Sequence, residues 1–253
     1  MKPKAIVLRT AGTNCDHESK SALELAGFEA ERVHINKLIR KEISLENYHL
    51  AMIPGGFADG DYLGSAKILA NKIRFRLENE FPDFVKDGKL ILGVCNGFQA
   101  LVKSGMLPAL NNEYTKQTAT ITFNDSGHFQ CEWVNLKNVN KGKCIFTKGI
   151  SELYVPIAHG EGKFDPGADE FLKKMYDDDQ IVFKYANNPN GSIDDIAGLC
   201  DPTGRVFGLM PHPERNISYL NDPRYFRKKP EKEEGAGMQI FRNAFEYVQE
   251  NLI

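Results

Sequence analysis

One cysteine stands between two glycines in Gly93-Val94-Cys95-Asn96-Gly97, after the apolar run Leu90-Ile91-Leu92 and before a helical pattern. A strand-to-helix turn of the form small-x-nucleophile-x-Gly holds such a side chain out beyond a sheet and aims the next N–H, that of Asn96, at an oxyanion. The helix that follows puts its positive end near the sulfur, where it would stabilise a thiolate. From these five residues alone, a buried thiol flanked by incidental glycines stays open as the other reading.

A sulfur nucleophile needs a base, and the base needs a group that orients it. Met210-Pro211-His212-Pro213-Glu214 offers both. In an extended segment His212 and Glu214 point to the same side, with the prolines stiffening the backbone around them. Glu214 can hold one imidazole nitrogen and leave the other for Cys95. Singly, His212 reads as a turn histidine satisfied by solvent and Glu214 as a solvated carboxylate; with Cys95 they make a nucleophile, a base and an orienter. Ile53-Pro54-Gly55-Gly56-Phe57 follows another apolar run, and the Gly56 N–H is the candidate second oxyanion donor, a plain tight turn being the alternative.

Such residues must be carried to one edge of a sheet. The segments 4–10, 28–35, 49–56 and 89–94 read as strands, and helices are expected over 16–26, 65–87 and 97–106. Near-continuous apolar strands alternating with helices imply an α/β fold: an open, mostly parallel sheet with helices on both faces, flavodoxin-like in kind. In such sheets ligands bind beyond the carboxyl ends of the strands, where Cys95 and His212 fall. Strands at 118–123, 128–136, 153–159, 181–186 and 195–200, then a turn at 201–204 and a returning strand at 205–214, add antiparallel strands to that core. A closing helix near 236–250 carries Phe241, Ala244, Phe245 and Val248 on one stripe and should dock on the sheet. The whole chain, 1–253, reads as a single domain, with a charged insertion at 221–237 expected to be a mobile surface loop.

With 42% apolar and 26% charged residues and a formal net charge of -2, the composition is globular and lacks the footprint of a nucleic-acid binder. No run is long enough to span a membrane and the start lacks signal-peptide character, so a cytoplasmic location is expected. The five cysteines contain no C-x-x-C pair, which argues against a disulfide framework and a cysteine zinc site; Cys131 and Cys200 read as small hydrophobes packed in strands. His159 and Glu161 have same-side spacing, but two ligands do not make a metal centre, and no metal is expected. The loop 9–16 has no G-x-G-x-x-G, so nucleotide binding there is not expected.

"PGGF", "GVCNGFQ" and "HPE", in that order, resemble the class I glutamine amidotransferases. The resemblance implies that Cys95 is acylated by the side-chain amide of glutamine, with His212 as proton shuttle, Glu214 as its orienter and Gln99 as a substrate-contacting residue; a polar residue on a buried helix remains the other reading of Gln99. "GTNCD", "PGGFADGDYL", "AHGEGKF", "YANNPNGS" and "GLMPHPER" narrow the resemblance to the glutaminase subunits of phosphoribosylformylglycinamidine synthase, the PurQ type. That family commonly has an arginine after "GDYL" and a glycine two residues on, where this chain has Gly64 and Ala66. The resemblance implies no cofactor on this chain, ATP and magnesium on a partner synthetase subunit, and a small accessory subunit in the same complex. The synthetase would convert formylglycinamide ribonucleotide to its amidine with the ammonia released here. A stand-alone cysteine hydrolase of the same fold and a non-catalytic sensor read through oxidation of Cys95 are the competing readings.

Overall fold

The structure is a computed structural model that describes residues 2–227 and 233–253. In chain order its strands are β1 (Lys4–Arg9), β2 (Glu29–His34), β3 (Leu50–Ile53), β4 (Leu90–Val94), β5 (Thr120–Thr122), β6 (Gln130–Asn138), β7 (Glu152–His159), β8 (Lys163–Asp165), β9 (Ile181–Tyr185), β10 (Ile196–Cys200) and β11 (Val206–Leu209). The helices are α1 (Asp16–Ala26), α2 (Ile35–Ile39), α3 (Lys67–Arg76), α4 (Glu80–Lys86), α5 (Asn96–Ser104), α6 (Asp169–Asp177) and α7 (Met238–Asn251).

Nine strands form one sheet in the order β2-β1-β3-β4-β11-β10-β9-β6-β7, and β5 pairs with β8 apart from it. The first five are mutually parallel, and the other four continue antiparallel, so only β10 and β6 run against the rest. Sequence explains the division. β3 (LAMI) and β4 (LILGV) are buried at every position, as strands covered on both faces must be. β7 alternates buried and half-buried positions, as an edge strand with one open face does. Its outer carbonyls are nonetheless covered: Pro156 O accepts from the His212 N–H at 2.8 Å and Tyr154 O from Asn216 Nδ2 at 2.8 Å. The free edge of the antiparallel half is thereby brought back to the chain that leaves β11.

Several expectations need correction. The amphipathic stretch 65–87 is two helices, because Pro82 would clash with the carbonyl four residues back in a continuous helix. The returning strand ends at Leu209, and Pro213–Arg215 is a turn of 3₁₀ helix. α6 and β8 went unforeseen; Met175 is the single buried residue of α6, too little to mark an apolar stripe. Cys131 is exposed, lying on the face of β6 opposite Val134 and Leu136 where β6 has outrun β9, whereas Cys200 is buried. α7 packs chiefly on α1 and the turn at 145–147, with Phe245 edge-on to Phe28 at 5.4 Å. Of the charged segment 221–237, residues 228–232 lie outside the described residues; its flanks pair, through a Ser218–Glu234 bridge and a Gly235 N–H bond to Ile217 O of 3.0 Å.

Candidate active site

Cys95 links β4 to α5 at φ 50°, ψ -106°, a conformation rare for a residue with a side chain. Its N–H donates to Leu209 O at 2.9 Å, which ties the turn to the end of β11. The flanking glycines are sterically required. A Cβ on Gly97 would lie 1.8 Å from Ile53 O, and one on Gly93 would lie 2.8 Å from Gly97 O. Their absence lets α5 start against the end of β3, so the sulfur and the Pro54-Gly55-Gly56 loop share one corner. As the first helical residues, Asn96 and Gly97 have no carbonyl a turn earlier in the helix, which leaves their N–H groups available to a ligand.

The segment after β11 brings the imidazole to that corner. His212 Nδ1 lies 2.6 Å from Glu214 Oε1, both side chains fully buried. His212 Nε2 has no partner among the described residues. A carbon placed on Gly55 would lie 2.7 Å from His212 Cε1, 3.2 Å from Cys15 Sγ and 3.4 Å from Cys95 Cβ, so three side chains that are remote in sequence surround one point. Burial alone disfavours the charged imidazole, but the Glu214 carboxylate and then the two neighbouring sulfurs outweigh it and hold His212 well above an ordinary histidine in proton affinity. Cys95 Sγ also lies 3.7 Å from Ala158 O at the end of β7.

Gln99 is 2% exposed, and its carboxamide is engaged by the chain: Nε2 donates to Glu161 O and Oε1 accepts from Asn96 Nδ2 at 3.0 Å. Asn96 Oδ1 in turn accepts from the Ala58 N–H at 3.1 Å. Gly56 sits at φ 143°, and a Cβ there would meet Asn14 N at 2.7 Å, so the 12–14 loop packs directly on the candidate oxyanion loop.

Two residues at this corner escaped the sequence reading. Cys15 Sγ accepts from Arg215 Nη2 at 3.0 Å, and Arg215 also reaches Glu18 at 3.6 Å. Burial pushes the Cys15 thiol up, against the opposing pull of His212 and Arg215. Its signal was available, a cysteine in a turn cluster just beyond an apolar strand. Cys15, His212 and Glu214 offer ligand atoms within 4.8 Å of one another. The guanidinium on the sulfur and the carboxylate on Nδ1 suit a proton relay better than a cation, since each already satisfies a would-be ligand.

His159 and Glu161 do not converge, because β7 ends at His159 and the alternation ends with it. His159 Nδ1 lies 3.1 Å from Asn124 Oδ1, and burial followed by the charge on His212 pushes its pKa down to about 4. Glu161 turns to Lys103, 3.3 Å away.

The chain matches the family model of the CobB/CobQ-like glutamine amidotransferase domain over residues 2–248. It is 44% identical to the phosphoribosylformylglycinamidine synthase subunit PurQ of Dehalococcoides mccartyi, over 98% of this chain and 99% of the relative. Identity to the subunit of the same name from Methanococcus maripaludis is 40%, over 97% of each. Among solved structures, a chain of PurLQS from Thermotoga maritima superposes with a TM-score of 0.77 at 33% identity, over 98% of this chain and all of that one.

Proposed function

The chain belongs to the CobB/CobQ-like glutamine amidotransferase family, and from that premise we propose that it is the glutaminase subunit of phosphoribosylformylglycinamidine synthase in purine biosynthesis. Glutamine is the substrate. Cys95 Sγ attacks the side-chain carboxamide carbon while His212 Nε2 takes the thiol proton, and the N–H groups of Asn96 and Gly56 receive the oxyanion. His212 returns its proton to the departing nitrogen, ammonia leaves, and a γ-glutamyl thioester remains. Water, deprotonated by the same nitrogen, then releases glutamate and restores the thiol. Glu214 holds the ring in the tautomer that leaves Nε2 free for both transfers.

The buried His212–Glu214 contact of 2.6 Å beside a strained cysteine carries this reading. Ammonia passes to a synthetase subunit, which binds ATP and magnesium and forms the amidine; a small accessory subunit completes the complex, in line with the Thermotoga PurLQS chain that this one resembles. No helix among the described residues is long and apolar enough to cross a membrane; a cytoplasmic site of action is part of the proposal.

Glutamate release by the assembled complex tests the proposal. Cys95→Ala should lower it by about 10³-fold or more, as loss of a covalent nucleophile does. An unchanged rate would remove the reading, and mass spectrometry of wild type at steady state should show the thioester on Cys95. Free glutaminase would waste glutamine, so docking of the synthetase should raise the rate by favouring the competent loop conformation. Equal rates with and without the synthetase would favour a stand-alone hydrolase instead.

A further inference from the structure

The segment His159-Gly160-Glu161-Gly162 is not used by the steps above, yet Glu161 is bonded to Gln99 and Lys103 of the helix that follows the nucleophile and to Ser65 of the loop beyond β3. We infer that Glu161 and Lys103 are a positioning pair that holds the 58–66 loop as a wall of the glutamine site; this rests on the glutaminase reading.

The loop between β3 and α3 is unusual in its backbone. Asp59, Gly60, Asp61, Gly64 and Ala66 all have positive φ, at 54°, 79°, 53°, 96° and 59°. Three of them carry side chains, and such strain persists only where the surroundings over-determine it. Ser65 is where they do so. Its N–H donates to both Glu161 carboxylate oxygens at 3.1 Å, and its carbonyl accepts from Lys103 Nζ at 2.7 Å. The two peptide units that flank the Ser65 Cα are thus gripped, one each, by the members of an ion pair whose side chains are only 8% and 11% exposed. The loop tip, Tyr62 and Leu63, is exposed at 88% and 71%, so this grip and the Asp61 contacts to Ala66 N and Asn96 Nδ2 hold its base.

The same pair reaches the reacting corner. Glu161 O accepts from Gln99 Nε2, and Gln99 Oε1 holds the Asn96 side chain, which also binds the Ala58 N–H at the other end of the loop. A Cβ on Gly64 would lie 3.9 Å from both Glu161 Oε2 and Lys103 Nζ, so the ammonium from α5 occupies the space beside residue 64. Ala66, left-handed with its N–H on Asp61 Oδ1 at 2.9 Å, closes the loop onto α3.

Removing one charge would strand the other, so the test removes both. Glu161→Gln with Lys103→Met deletes the pair without leaving a buried ion, a replacement that need not cost stability. Two reagents then report separately on the complex-forming chain: iodoacetamide on the Cys95 thiol alone, and 6-diazo-5-oxo-norleucine, a glutamine-shaped alkylator, on the thiol together with the substrate wall. The double variant should lose roughly 10- to 100-fold in the rate with the glutamine-shaped reagent, as expected for misplaced substrate contacts. Its iodoacetamide rate should stay within about twofold of the parent. KM for glutamine in the assembled complex should rise more than kcat falls. Equal loss with both reagents, or no loss with either, would overturn the inference while leaving the glutaminase reading intact. A wild-type chain that fails to react with the glutamine-shaped reagent at Cys95 would remove that reading and this inference with it.

Discussion

Holding Cys95 at φ 50°, ψ -106° costs about 1–3 kcal/mol, which the turn recovers through the Cys95 N–H bond to Leu209 and the packing of α5. Opposite it, burial works against the charged His212 ring, which owes its raised proton affinity first to the Glu214 carboxylate and then to the Cys95 and Cys15 sulfurs. Glu214→Gln should therefore lower kcat by roughly 10²–10⁴-fold and move the acid limb of the pH–rate profile to lower pH, because the variant imidazole stays free to take the thiol proton down to a lower pH. An unchanged limb would mean that Glu214 does not set the charge of the ring. His159 makes the opposite case. Its folded pKa of about 4 lies below the ordinary value of 6.5, so the unfolded chain binds the proton first as pH falls. Stability should be intact above about pH 6.5 and decline towards pH 4 by roughly 3 kcal/mol. Urea midpoints of the parent and His159→Gln, compared across that range, isolate this contribution from His34 and His49, whose burial has the same sign. Parallel curves would contradict it. Cys95, His212 and Glu214 could be proposed from sequence because each sits in a local pattern with its own chemistry. Cys15 also sits in a local pattern, a turn cluster beyond an apolar strand, but its pairing with Arg215, 200 residues away, leaves no local mark.

At the scale of elements, the site depends on backbones that approach more closely than side chains allow. Gly97→Ala would drive a methyl into Ile53 O, 1.8 Å away, and the obstacle is backbone, so α5 must leave β3. The expected cost is about 3 kcal/mol or more, with activity lost alongside. Gly142→Ala is the control: φ is 110° but nothing lies within 4 Å, so only conformational strain of about 1–2 kcal/mol should appear. Matching denaturation midpoints for the two variants would show that the close approach is unimportant. The parallel strands and α1, α5 and α7 were legible because their apolar periods are strong and their ends are marked, Gly27 at φ 119° closing α1 being the plainest case. The join between α3 and α4 was not, because the amphipathic period runs on through Pro82, whose ring clash and missing N–H break the helix without interrupting the apolar pattern. Nor could the sequence show that β7 would bring its outer edge back to the residues after β11, since hydrogen bonds to Pro156 O and Tyr154 O leave no periodic trace.

Across the whole molecule, the last helix does two separable jobs. Its apolar stripe, with Ile240, Phe241, Ala244 and Val248 buried, closes the core beside α1 and the 145–147 turn. Its start presses on the segment that carries His212 and Glu214: the Gly237 N–H donates to Asn216 O at 2.8 Å, and a Cβ on Gly237 would fall 2.0 Å from Pro213 O. Gly237 has an ordinary helical φ of -67°, so alanine there is conformationally acceptable and only the contact is offended. Phe241→Ala should cost about 3–5 kcal/mol through the cavity it leaves and lower the melting temperature on the order of 10 °C, with KM and kcat near those of the parent at temperatures below the transition. Gly237→Ala should differ in its effect on activity: beside a stability loss like that of Gly97→Ala, since the obstacle is again backbone, displacing Pro213 between His212 and Glu214 should lower kcat by roughly 10-fold or more even well below the transition. Calorimetry and glutamate release on the two variants in parallel decide the matter. If both lose stability and activity in the same proportion, α7 is one cooperative prop for the fold, and its hold on His212 and Glu214 has no separate existence.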